Sequence, residues 1–134
     1  MIGKQAVVIG AGMGGLAAAR ALADHFDQVI VLERDALPSD LTPRAGTPQA
    51  RHVHGLLSGG QQALAALFPG FEAALADAGA VPLRVGLDIL TERAGFDPFP
   101  QRDLGRISYY MSRSLLELVM RRYIERLPNV SLRP

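Results

Sequence analysis

The chain has 134 residues, 49% of them hydrophobic and 20% charged, and no cysteine. That composition describes a globular domain long enough to bury a real core, and it excludes disulfides, thiolate catalysis and cysteine-ligated metals. Fourteen basic residues against 13 acidic ones leave a formal net charge of +1, which gives no drive towards nucleic acid or an anionic membrane surface.

The amino terminus carries a short apolar run without the longer apolar core and small-residue cleavage pattern of a signal peptide. No stretch approaches the roughly 20 apolar residues of a membrane-spanning helix. A cytoplasmic protein without membrane insertion is expected.

Ala6–Ile9 is a continuous apolar run closed by Gly10 and predicts a buried parallel strand. From Met13 to about Asp24, leucines and alanines at helical spacing predict a helix with a small-residue face that packs close to a sheet. Gln28 to Glu33 predicts a second buried strand, completing a strand–helix–strand unit. Asp35 to Gly55 has no periodicity and contains Pro38, Pro43 and Pro48; loops this long tend to be functional.

Ser58 to Phe68 and Phe71 to Ala78 predict two helices, the second stopped by Gly79. Leu83, Val85, Leu87 and Ile89 alternate with polar or small neighbours, predicting a half-buried strand over 82–91. A Gly- and Pro-rich loop over 93–106 leads to a returning strand at Ile107–Met111. Ser114 and Glu117 form a candidate capping box for a helix running to about Leu127, with Leu116, Val119, Met120, Tyr123 and Leu127 on its apolar face. Val130–Leu132 begins a third parallel strand.

The chemistry concentrates at Gly10-Ala11-Gly12-Met13-Gly14-Gly15, which satisfies the pattern G-x-G-x-x-G. Gly10 permits the tight turn off the strand, Gly12 lets the backbone approach a pyrophosphate, and Gly15 lets the helix sit close to the strand. The helix amino terminus then offers unpaired N–H groups and partial positive charge to phosphates. A glycine turn alone is a weak signal. Here it follows a predicted strand, opens a predicted helix, and lies 23 residues before Glu33 at the end of the next strand.

Glu33 is placed to accept hydrogen bonds from the ribose hydroxyls of an adenosine. Its charge disfavours a 2′-phosphate, which favours FAD or NAD over NADP. Arg34 either covers the adenine or faces water. The turn lacks the Lys-Ser/Thr that a P-loop requires.

The first 35 residues, with Val-Val-Ile-Gly-Ala-Gly-Met-Gly-Gly-Leu and then Val-Ile-Val-Leu-Glu-Arg-Asp, resemble the FAD-dependent monooxygenases of the para-hydroxybenzoate hydroxylase type. Arg44-Ala45-Gly46 followed by Gln49 is similar to that family's arginine-containing loop over the cofactor. Ser112-Arg113-Ser114-Leu115-Leu116 resembles its helix start, where an arginine reaches the FAD pyrophosphate or ribityl region. An arginine suits that task because its planar fork binds phosphate in bidentate fashion. The alternative for Arg44 and Arg113 is a role as surface charges.

The resemblance implies FAD as cofactor, NAD(P)H as reductant of the complete enzyme, and hydroxylation of a small organic substrate with O2. It singles out Gly10, Ala11, Gly12, Met13, Gly14, Gly15, Glu33, Arg34, Arg44 and Arg113 as cofactor-binding and assigns no catalytic residue. His52 and His54 stand two apart with no third ligand nearby, a poor zinc site, and a structural or flavin-edge role is preferred to catalysis. One of Tyr109 and Tyr110 should face the core.

The implied fold is α/β: a Rossmann-like, glutathione-reductase-like doubly wound parallel sheet, incomplete, its three strands ordered 3-2-1, with an antiparallel insertion. The division is 1–79 for the strand–helix–strand unit and following helices, 80–111 for the antiparallel excursion, and 112–134 for the return helix and third strand. The family's later Gly-Asp and Asp-Gly motifs are not among these residues, so the chain is expected to be an amino-terminal portion, inactive alone. Rival readings are a reductase or halogenase of the same fold, an NAD-dependent dehydrogenase, and a non-catalytic binding protein resembling the Rab GDP-dissociation inhibitors.

Overall fold

The computed structural model describes all of residues 1–134. Its strands are β1 (Gly3–Ile9), β2 (Phe26–Leu32), β3 (Val53–Leu56), β4 (Val81–Arg84), β5 (Ile107–Ser112) and β6 (Val130–Arg133). The helices are α1 (Met13–Ala23), α2 (Ser58–Leu67), α3 (Phe71–Asp77) and α4 (Arg113–Glu125). They form two sheets. One is parallel, in the order β1-β2-β6, and is the expected 3-2-1 arrangement. The other is antiparallel, in the order β3-β5-β4.

In the parallel sheet Val8 lies beside Val31, and Val29 beside Val130. Alternation sends Val8, Val29 and Val31 to the face covered by helices, where they are buried with Leu16 and Ala19 of α1. The expectation of a fully buried first strand is corrected here. Val7 and Ile9 point to the opposite face of the edge strand and are 53% and 88% exposed, whereas Ile30, beside Val7 on the central strand, is 8% exposed. A continuous apolar run carries no information about whether one face or both will be covered.

Helix α4 is the central element. Leu115, Leu116, Leu118, Val119, Met120 and Ile124 are all buried, together with Glu117 and Arg121. The apolar stripe expected of it is therefore only part of what it buries. At its carboxyl half, Tyr123 stacks with Phe68 and Phe71 at centroid distances of 5.4 and 6.3 Å, and its hydroxyl donates to the Pro69 carbonyl at 2.9 Å. This aromatic knot ties the α2–α3 turn to α4. Full burial of side chains such as Phe68 and Phe71 contributes about 1.5–3 kcal/mol each.

Three local expectations are corrected. The capping residue of α4 is Ser112, whose hydroxyl accepts from the Leu115 N–H at 3.2 Å; Ser114 lies within the first turn. The strand expected over 82–91 stops at Arg84. There Asp88 folds back to accept the Arg84 N–H at 2.7 Å, and Gly86 takes φ +83°. The segment 35–55, expected to be structureless, contains a 3-10 turn at Pro48–Arg51 and all but the last residue of β3. Strand β3 has no recognisable period of its own, and its pairing with β5 makes it a strand.

Candidate nucleotide-binding site

The glycine turn joins β1 to α1 at the carboxyl end of the parallel sheet. Gly10 has φ +95°, a conformation L side chains rarely adopt. A Cβ on Gly15 would stand 1.8 Å from the Gly10 carbonyl oxygen, so only glycine lets α1 begin this close to the strand. Around Gly14 the space is open, with nothing within 4 Å of a Cβ there. The amino terminus of α1 has no side-chain cap, so its first N–H groups, which lack intrahelical acceptors, remain available.

Glu33 immediately follows β2 and turns its carboxylate back across this turn. Its Oε2 accepts the Ala11 N–H at 2.7 Å and pairs with Arg44 at 3.0 Å; its Oε1 accepts the Asp35 N–H at 3.1 Å. Burial alone would raise the Glu33 carboxyl, but the two backbone N–H groups and the Arg44 guanidinium hold it below its ordinary value. Each carboxylate oxygen has two lone pairs, so Oε1 keeps acceptor capacity for a ligand hydroxyl.

Arg44 is the centre of the charge network, with a side chain only 6% exposed. Besides Glu33 it meets Asp35 at 3.5 Å and Glu117 at 3.0 Å. Burial opposes its charge, but Glu117 and Glu33 outweigh burial and raise its pKa further. Asp35 also accepts the Gly46 N–H at 2.7 Å, pinning the loop that carries Arg44.

Arg113, the first residue of α4, meets Glu117 one turn on, with Nε at 2.9 Å and Nη2 at 2.8 Å from Oε1. Both side chains flank the glycine turn: a Cβ on Gly12 would lie 3.8 Å from Glu117 Oε1 and 3.9 Å from Arg113 Nη2.

The fold thus brings Gly10 to Gly15, Glu33, Arg44 and Arg113 together. Arg34 stands apart, 83% exposed and 3.8 Å from Asp35. Asp35 and Glu117 were not singled out as site residues from the sequence. The spacing of Arg113 and Glu117, four residues apart on a helix, was the available signal. For Asp35 there is none, because its contact with Arg44 depends on how the loop folds back.

His52 is exposed, and its carbonyl lies 2.8 Å from His54 Nδ1. Tyr109 is buried and Tyr110 half-buried, its ring lying over Gly55. A cavity of about 530 Å³ opens beside the antiparallel sheet, among Ile89, Phe99, Arg102, Leu104 and Tyr110. No helix is long and apolar enough to cross a membrane.

A glycine turn off a parallel strand, an uncapped helix start and an acid after the second strand are what a dinucleotide fold requires. A family model described as an NAD(P)-binding Rossmann-like domain matches residues 8–57. The fold is Rossmann-like.

Among solved structures, p-nitrophenol 4-monooxygenase PnpA from Pseudomonas putida is similar over 99% of this chain and 32% of its own, with TM-score 0.64 and 22% identity. The tetrameric form of 2-methyl-3-hydroxypyridine-5-carboxylic acid oxygenase is similar over 96% of this chain and 31% of its own, with TM-score 0.62 and 21% identity. In sequence, Protein Rv3254 of Mycobacterium tuberculosis is 40% identical over 130 residues, 95% of this chain and 27% of that protein. The chain spans between a quarter and a third of the length of these relatives.

Proposed function

We propose that this chain is the FAD-binding part of an oxidoreductase, a monooxygenase that hydroxylates a small organic substrate with NAD(P)H and O2. The observation that carries the reading is the convergence of Glu33, Arg44 and Arg113 on the glycine turn. The resemblance of the sequence to FAD-dependent monooxygenases supports it. So does the likeness of fold to an oxygenase and a monooxygenase.

In this reading the N–H groups at the start of α1 would hold the pyrophosphate. Arg113 would help hold it, and Glu33 would accept a ribose hydroxyl. The residues present fit such a group: the space over Gly14 is open, and the helix start is uncapped. When bound, FAD supplies the redox chemistry, and the chain's part is to bind, orient and balance charge. The division at 80–111 marks the excursion towards a substrate domain, and the cavity beside Phe99 and Tyr110 lies on that excursion.

A nicotinamide dinucleotide in the same turn is the second reading, favoured by the family description matched at residues 8–57. An antiparallel sheet inserted between the second and third parallel strands speaks against it, since NAD domains ordinarily continue in direct strand–helix repeats. The test is the visible spectrum of the full chain after incubation with FAD and desalting. Retained flavin bands, lost in Gly12→Asp, are expected. A colourless protein that binds NAD would overturn the flavin reading.

A further inference from the structure

We propose that Glu117 is a positioning residue that sets Arg113 for a pyrophosphate; the proposal rests on the dinucleotide site argued above. A carboxylate beside a phosphate-binding turn needs a reason to be there, because it repels the ligand across a short distance. Glu117 lies beside Gly12 with its side chain 8% exposed. Its two oxygens are divided between two arginines from different parts of the chain. Oε1 takes Nε and Nη2 of Arg113, and Oε2 takes Nη2 of Arg44.

The consequence is geometric. Arg113 belongs to α4 and Arg44 to the loop after β2, and no hydrogen bond or ion pair joins the two arginines to a common side chain except at Glu117. Unpaired, two guanidinium groups near one turn would repel each other and move apart. With Glu117 between them, Arg113 is held in one orientation, and Arg44 gains a third carboxylate beside Glu33 and Asp35. Arg113 keeps its Nη1 donors free of a carboxylate, and Arg44 Nη2 is held 3.5 Å from the Ala11 carbonyl. Arg113 is thus fixed beside the turn before any ligand arrives, the condition under which charge contributes most to binding, while Arg44, taken up by Glu33, Asp35 and Glu117, anchors Glu117.

The experiment titrates FAD and adenosine separately into the full chain and into Glu117→Gln and Glu117→Asp. The glutamine variant keeps the volume but loses the charge that holds Arg113, whose only carboxylate is Glu117. The aspartate variant keeps the charge but is one methylene too short to span both arginines. The expected result is FAD binding weaker by about tenfold or more in both variants, with adenosine, which has no phosphate, bound as in the wild type. The comparison separates positioning from a general loosening of the fold, which would weaken both ligands alike. Wild-type FAD affinity in Glu117→Gln would overturn the proposal, as would an equal loss for the two ligands. A wild-type chain that binds neither ligand would overturn the dinucleotide site itself, and this inference with it.

Discussion

At the scale of single residues, the site is held by a buried cation with more counter-ions than it needs. Arg44 faces Glu33, Asp35 and Glu117, which without it would be left as neighbouring carboxylates, two of them with side chains less than a tenth exposed. Removing one partner of a buried ion pair costs about 3–5 kcal/mol, most of it the penalty for the charge left behind. Arg44→Met, which keeps much of the volume, is expected to lower unfolding free energy by about that amount in urea titrations. An unchanged urea midpoint would mean that the network is not closed in solution.

Glu33 adds a pH dependence whose sign follows from its depressed carboxyl. The folded state binds the proton less tightly than the unfolded state. The contribution to stability is therefore complete above the ordinary glutamate value of about 4.3 and is lost as pH falls through the lower folded value. Asp40 and Asp88 are depressed too, so the contrast that isolates Glu33 is with Glu33→Gln. The wild-type melting temperature should fall more steeply below about pH 4.3 than that of the variant.

At the scale of elements, two starts matter most. Helix α1 begins against β1 only because Gly15 has no side chain. Gly15→Ala would force its methyl into the Gly10 carbonyl, and the turn would have to open. Overpacking of that kind costs about 1–3 kcal/mol, and because the displaced atoms form the proposed phosphate cradle, loss of FAD binding is expected alongside the lower melting temperature.

Helix α4 begins at Ser112, whose hydroxyl satisfies the Leu115 N–H. Ser112→Ala should cost about 1 kcal/mol in chemical denaturation, and Ser114→Ala much less. The reverse order would restore Ser114 as the cap. The pattern Ser114-x-x-Glu117 suggests a box, but Glu117 is drawn inward by Arg44 and Arg113, so tertiary charge pairing overrides a local signal worth only about 1 kcal/mol.

At the scale of the whole molecule, the parallel sheet is covered on one face and exposed on the other at its β1 side. Strand β1 pairs only with β2, and Val7, Ile9 and Leu32 stand exposed beside that free edge. An apolar face next to unpaired backbone groups is a template for association. The isolated 134-residue chain is expected to self-associate with rising concentration in sedimentation velocity. Ile9→Thr, at a position 88% exposed and outside the core, should reduce association without lowering stability. A monomer at all concentrations would show that the face needs no cover.

The amino-acid sequence by itself determined the strand–helix–strand start, the glycine turn and Glu33 at the end of the second strand. Each depends on local periodicity or on a spacing within about 35 residues, where chain connectivity leaves few alternatives. Only the tertiary structure decided that Val7 and Ile9 lie open, that 53–56 is a strand, and that Arg44 meets Glu117 across 73 residues of chain. Strand pairing and burial are properties of what lies alongside. A buried charge is recognisable only once its counter-ions are in place, because a lone arginine in a sequence is indistinguishable from one that faces water.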